Sequence, residues 1–216
     1  MTPSNVAYDP TAIQDADGRS IYIRERNNLG GALGAADPFV RAMVKGSTEF
    51  VNEQPLESVF SSAKEQVGEK YGEHTVKFTI KVMQTDIDTE NFFREDVKGK
   101  FYQIVDFAGI SRYSNTLERN MQKVRFFALC RITPKYSEST PDGRETECEV
   151  IVKPNPNAAP IALANCGASV TGLTTADVEN NLDTSATATN GWDATNFSVA
   201  SGKYYDIEEV KMAEDI

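Results

Sequence analysis

The sequence predicts an α+β, β-rich fold: an antiparallel sheet or small barrel or sandwich with one amphipathic helix at 55–71, an extended N-terminal arm and long polar C-terminal loops. Three observations carry that expectation. Residues 124–153 hold two apolar runs joined by Pro141, Asp142 and Gly143, which is β-hairpin turn chemistry. Val76, Phe78, Ile80 and Val82 alternate with Lys77, Thr79 and Lys81 at the period of a half-buried strand. Leu56, Val59, Phe60, Ala63, Val67 and Tyr71 fall at helical spacings between Pro55 and the terminator Gly72.

At 216 residues the chain reads as one domain with extensions. The divisions are a 1–50 arm with a short helix, a 51–160 helix and β-rich core, and a 161–216 polar loop region ending in a β-hairpin. Hydrophobic residues at 40% and charged residues at 25% are globular values. No apolar run approaches the roughly 20 residues of a membrane span, so a soluble chain with no membrane partner is expected. The first residues show no basic region followed by an apolar one, so no export signal is recognisable, and a virion or cytoplasmic location is expected. Three cysteines imply no disulfide framework.

The net charge of −10 is unevenly spread. Residues 157–216 carry two Lys/Arg against nine Asp/Glu, while residues 73–156 balance at thirteen each. Within that balanced centre, Arg112, Arg119, Lys123, Arg125, Arg131 and Lys135 are opposed only by Glu118. Tyr113, Phe126 and Phe127 interleave with them, the pattern of a polyanion contact.

Taken in order, residues 1–36 are punctuated by Pro and Gly and show little periodicity beyond Ser20 to Arg26. Asp37 and Pro38 resemble a helix start with Gly46 as its stop. The apolar stripe of the 55–71 helix must rest on a sheet or a partner. Residues 101–110 form a further β segment, followed by a short helix opening at Asn115 with Glu118 as its capping partner. The 124–133 run is dense enough to be covered on both faces. After Lys153, Pro154, Pro156 and Pro160 end the sheet. Residues 165–202 are polar loop, with Val170, Leu173, Val178, Leu182, Trp192, Phe197 and Val199 as apolar anchors, and Ser201-Gly202 turns a last hairpin.

Catalytic chemistry finds little to stand on. His74 is the single histidine and sits at the start of an alternating strand. Cys130, Cys148 and Cys166 lack the C-x-x-C spacing of a zinc knuckle and read as buried apolar residues. Asp86, Asp88 and Glu90 imitate a calcium loop, but Asn91 stands where its glycine belongs and Val97 where its bidentate Glu belongs. Gly30, Gly31 and Gly34 lack phosphate-loop spacing, and the Asn196-Phe197-Ser198 sequon reads as chance. No cofactor, metal or catalytic set is expected.

The expectation is therefore a non-enzymatic structural subunit of a large assembly, such as a coat, decoration or tail component of a virus or phage. Its partners would be copies of itself or other subunits, met through arm and loops. The alternative is a single-stranded nucleic-acid-binding protein on a small β-barrel, with Arg112, Tyr113, Arg119, Lys123 and Arg125 as contacts, Tyr113, Phe126 or Phe127 stacking bases, and an acidic C-terminal region. Nucleic acid is the less favoured partner, since the arm carries five Lys/Arg against six Asp/Glu over residues 1–50.

Overall fold

A computed structural model describes residues 20–26, 40–44, 50–62, 64, 66–84, 91–93, 97, 99–114, 119–140, 143–163, 192 and 197–212. Its strands are β1 (Ser20–Arg26), β2 (Val40–Val44), β3 (Phe50–Glu53), β4 (Leu56–Phe60), β5 (Gln66–Tyr71) and β6 (Thr75–Gln84). They continue as β7 (Phe101–Ser114), β8 (Arg119–Thr140), β9 (Gly143–Val152), β10 (Ile161–Ala162), β11 (Ser198–Val199) and β12 (Tyr205–Lys211). Every pairing is antiparallel. Eight strands form one sheet along the path β12-β8-β7-β1-β2-β6-β3, with β9 pairing both β6 and β8. The path ends at β12 and β3, while β9 joins β8 to β6 and so links the path back on itself. Among the described residues no helix is long and apolar enough to cross a membrane.

The 22-residue β8 is the spine of this sheet. Its first half lies between β7 and β12, and its second half pairs with β9 as the expected hairpin, closing from Cys130↔Val152 to Thr140↔Gly143. Pro134 sits where the β8–β9 register shifts, a place that tolerates a missing ladder donor. Strand alternation, reset by the β7–β8 register shift between Phe127 and Cys130, sends Phe127, Cys130 and Ile132 into one core with Ile21, Ile23, Phe78, Ile80, Ile104 and Val150. Phe126, Ala128 and Val124 enter a second core with Tyr22, Val105, Phe107, Ile161, Leu163, Trp192, Phe197 and Val199. Strands β6 and β7 also form where alternation and density predict them.

The second core is roofed by the C-terminal segment. Trp192 packs on Phe107 at 5.6 Å and on Phe197 at 5.3 Å between ring centroids, so two of the predicted anchors do close the sheet. Buried Asn155 ties this roof down. Its side chain donates to the carbonyls of Ala159 (3.0 Å) and Val199 (2.9 Å) and accepts from the amide of Asn157 (2.9 Å). Its carbonyl accepts from the amide of Gly202 at 2.9 Å, where φ of +71° suits glycine. The turn at Ser201-Gly202 exists, but β11 and β12 do not pair with each other: β11 joins β10 and β12 joins β8.

Several expectations are corrected. Residues 20–26 and 40–44, read within an arm and a short helix, are strands of the main sheet, with β1 between β7 and β2. The flanking glycines and prolines disguised a strand whose Ile21 and Ile23 are wholly buried. The rest of residues 1–49 lies outside the described residues, as do 115–118 of the short helix predicted at Asn115; strand β8 begins at Arg119. Asp86, Asp88, Glu90, Gly30, Gly31, Gly34 and Asn196 lie outside them too.

The helix at 55–71 is not formed; the segment is the hairpin β4–β5. A 17-residue helix would part its ends by about 25 Å at 1.5 Å per residue. Here the ends must meet, because β3 enters and β6 leaves with Glu53 paired to Thr75. Gly68 and the β-branched Val59 and Val67 weaken the helical alternative further.

Asn155→Ala is expected to lower unfolding stability by about 1–3 kcal/mol, because the buried Val199 carbonyl loses its donor. Urea denaturation of the purified chain measures it.

Candidate functional site: a projecting apolar hairpin

Strands β3 and β6 form a ribbon along the sheet edge, and β4–β5 extends that ribbon past the sheet as a separate two-stranded unit. Its base is drawn together by the Gly72 amide donating to the Pro55 carbonyl at 2.7 Å. Gln54 Nε2 donates to the Gly72 carbonyl at 3.3 Å. A Cβ on Gly72 would lie 2.7 Å from Glu57 Oε1 and 2.9 Å from Pro55 Cγ, so glycine lets the strands converge there. At the tip, Lys64 takes φ of 63° and its amide donates to the Ser61 carbonyl at 2.9 Å.

Register and alternation sort the hairpin into two faces. Leu56 lies opposite Tyr71 and Ser58 opposite Glu69, and after a register shift that leaves Val67 as the extra residue Phe60 lies opposite Gln66, so these pairs follow the Leu56–Ser58–Phe60 face of β4. Gln66 Nε2 donating to Ser58 Oγ at 3.3 Å agrees with that assignment. The other face carries Val59 and the Glu57–Lys70 ion pair at 3.2 Å. What distinguishes the hairpin is exposure: Leu56 55%, Phe60 62%, Val67 62% and Tyr71 73%. Beyond isolated contacts, no other described strand packs on β4 or β5. An isolated two-stranded hairpin is marginal in water, and exposed apolar clusters of this kind mark contact sites.

The root of the hairpin is firmly held. His74 accepts a hydrogen bond from Tyr204 Oη at its carbonyl (2.9 Å), lies 4.4 Å from the Tyr204 ring and shares a hydrogen bond with Asn52. Asn52 Nδ2 donates to Tyr205 Oη at 3.0 Å, and Phe50 packs on Tyr205 and Phe127. The single histidine thus holds strand to tail, and the ribbon leaves a braced body.

The basic stretch looks different. Arg125 is drawn inward, 3.8 Å from the buried Asp106 carboxylate and 5.0 Å over the Phe50 ring. Arg131 stacks on Phe101 at 4.5 Å, and Lys135 pairs with Glu147 at 3.5 Å. Lys123 is half-buried and lies opposite Glu209 across the β8–β12 pair. Backbone register brings Arg112, Tyr113 and Arg119 to one end of the β7–β8 pair, but their side chains lie outside the described residues. Of the proposed stacking rings, Phe126 and Phe127 are both fully buried.

Cys130 and Cys148 are buried among apolar side chains of the first core. Burial pushes the Cys130 thiol up, and burial with the Glu147 charge pushes Cys148 up to about 12. At the failed calcium loop, Val97 is wholly buried and sits with Phe92 and Phe93 against the core. Sequence reasoning missed the hairpin as a site because it had assigned those apolar residues to a helix face. The usable signal was already there: a stripe needing a sheet or partner, and no sheet covers it.

No protein-family model matches this chain, and no curated protein matches it.

The raised Cys148 pKa fixes a sign. Below about pH 9 the thiol is neutral folded or unfolded, and its contribution to stability is intact; from 9 toward 12 the unfolded chain ionises first and stability falls. Denaturation midpoints across that window should decline less in Cys148→Ala than in the native chain.

Proposed function

We propose that the chain is a non-enzymatic structural subunit of a large protein assembly, specifically a coat, decoration or tail component of a virion, acting through contacts with neighbouring subunits. The observation that carries this reading is the apolar hairpin held out from a braced body, an expenditure of hydrophobic surface that solvent does not reward. Every described large apolar side chain above half exposure lies on it. A projecting element of about 17–20 Å reaches a neighbour without the bodies having to meet. The cores on both sides of β8 give such a subunit a rigid centre.

The nucleic-acid reading loses support from the same geometry. Two of the three aromatic rings that would stack bases, Phe126 and Phe127, are core residues, and Arg125 is engaged with Asp106. At low salt a labelled single-stranded oligonucleotide should not be retained, and Lys123→Glu should change nothing; salt-sensitive retention would favour that reading instead.

The subunit reading predicts that, in extract of the cells that make it, the chain sediments in particles far larger than its 23.8 kDa. Fractionation that returns it only as a free 23.8 kDa monomer would contradict the reading.

A further inference from the structure

We infer that Asp206 is an edge guard: its carboxylate closes the outer side of β12 to an added strand, so that the main sheet ends there instead of continuing into a neighbouring chain. The inference concerns the sheet edge alone and stands with or without the subunit reading. Backbone parity shows which amides of β12 face outward. The Met212 amide donates to the Asn120 carbonyl at 2.9 Å, one step beyond the Lys211↔Met121 pair. Bonded and non-bonded pairs alternate along antiparallel strands, so Val210, Glu208 and Asp206 exchange hydrogen bonds with Gln122, Val124 and Phe126, and the Ile207 amide points away from β8. Among the described residues no strand pairs β12 on that side. An outward amide on an edge strand is the group that a further strand would bond, and Ile207 is 41% exposed.

Asp206 takes that amide first. Its Oδ1 accepts from the Ile207 amide at 3.0 Å, and its Oδ2 accepts from the Ser198 amide of β11 at 2.9 Å. The second bond holds the carboxylate in place, and the first occupies the donor. To pair here, an added strand must strip Asp206 from Ile207 and bury a carboxylate left with one amide, and burying an incompletely partnered charge is strongly unfavourable. The next residue of the same parity adds to the barrier. Burial and then the Asp206 charge raise the Glu208 carboxyl above its ordinary value, so further loss of water from this row is opposed.

The test compares the full-length purified chain with Asp206→Ala and with Asp206→Ala/Ile207→Pro by sedimentation velocity over a dilution series. Circular dichroism and urea midpoints check that each is folded. Ile207→Pro removes the outward donor and no bond to β8, which an edge strand tolerates. Losing one charge-assisted hydrogen bond from the edge should let Asp206→Ala associate at about 10-fold lower concentration than the native chain, and the double variant should return to native behaviour. Asp206→Ala that sediments as the native chain does overturns the inference. Association that Ile207→Pro leaves in place overturns it equally, since Asp206 would then serve only to anchor Ser198. Hydrogen exchange on the native chain decides the matter even where a variant does not fold. The Ile207 amide should exchange about 10-fold or more slowly than an unprotected amide in its sequence context, and exchange at the unprotected rate overturns the inference.

Discussion

Two-sided burial of β8 is the constraint on which the rest of the structure depends. From Phe126 to Cys130 five consecutive residues are at most 1% exposed, which a strand achieves only when both its faces are covered. One face is covered by side chains of β1, β6, β7 and β9, and the other by Ile161, Leu163, Trp192, Phe197 and Val199. With apolar residues on both faces, alternation alone does not fix the register, because a one-residue slip exchanges one apolar set for the other. Size and charge fix it instead. A slip would put Phe127 where Ala128 fits, and would pull Arg125 from Asp106 and Arg131 from Phe101. The chain therefore flanks its most apolar run with arginines held by specific partners.

That consumption of apolar surface makes the hairpin's exposure informative. The body has buried Ile21, Ile23, Phe78, Ile80, Ile104, Phe126, Phe127 and Val150, and has recruited distant Trp192 and Phe197 to finish a core. It nevertheless leaves Leu56, Phe60, Val67 and Tyr71 in water, on a unit whose root is fastened by Asn52, His74, Tyr204 and Tyr205. A floppy loop would lose an ordering penalty on binding, whereas a braced ribbon meets its neighbour with part of that cost already met. Of the basic residues read as a binding stripe, Arg125, Arg131 and Lys135 are held by the body's own Asp106, Phe101 and Glu147.

Much of the sheet was legible in the sequence where the signal is local. Val76 to Val82 alternate, residues 124–153 are dense and carry their turn, and Pro154 marks the end of β9, so β6, β8 and β9 follow from short windows; the sheet's return at β12 does not. What was not legible depends on contacts distant in sequence. Leu56, Val59, Phe60, Val67 and Tyr71 satisfy helical spacing, and only the pairing of Glu53 with Thr75 forces that segment to reverse. Residues 20–26 look like arm until β7 is placed beside them, pairing Arg26 with Phe101 through Ile21 with Asp106. Asn155 is one polar residue among prolines, and its role needs Val199 and Gly202, which lie more than forty residues on. The candidate site was legible only as an unanswered question about what covers a stripe, and that answer required the rest of the fold.

Native-state hydrogen exchange on β8 tests the central claim most directly. If both cores hang on this strand, the amides of residues 126–130 exchange only through global unfolding, with the free energy that urea denaturation gives. Exchange of those amides by a cheaper local opening, while β6 and β9 stay protected, would contradict it.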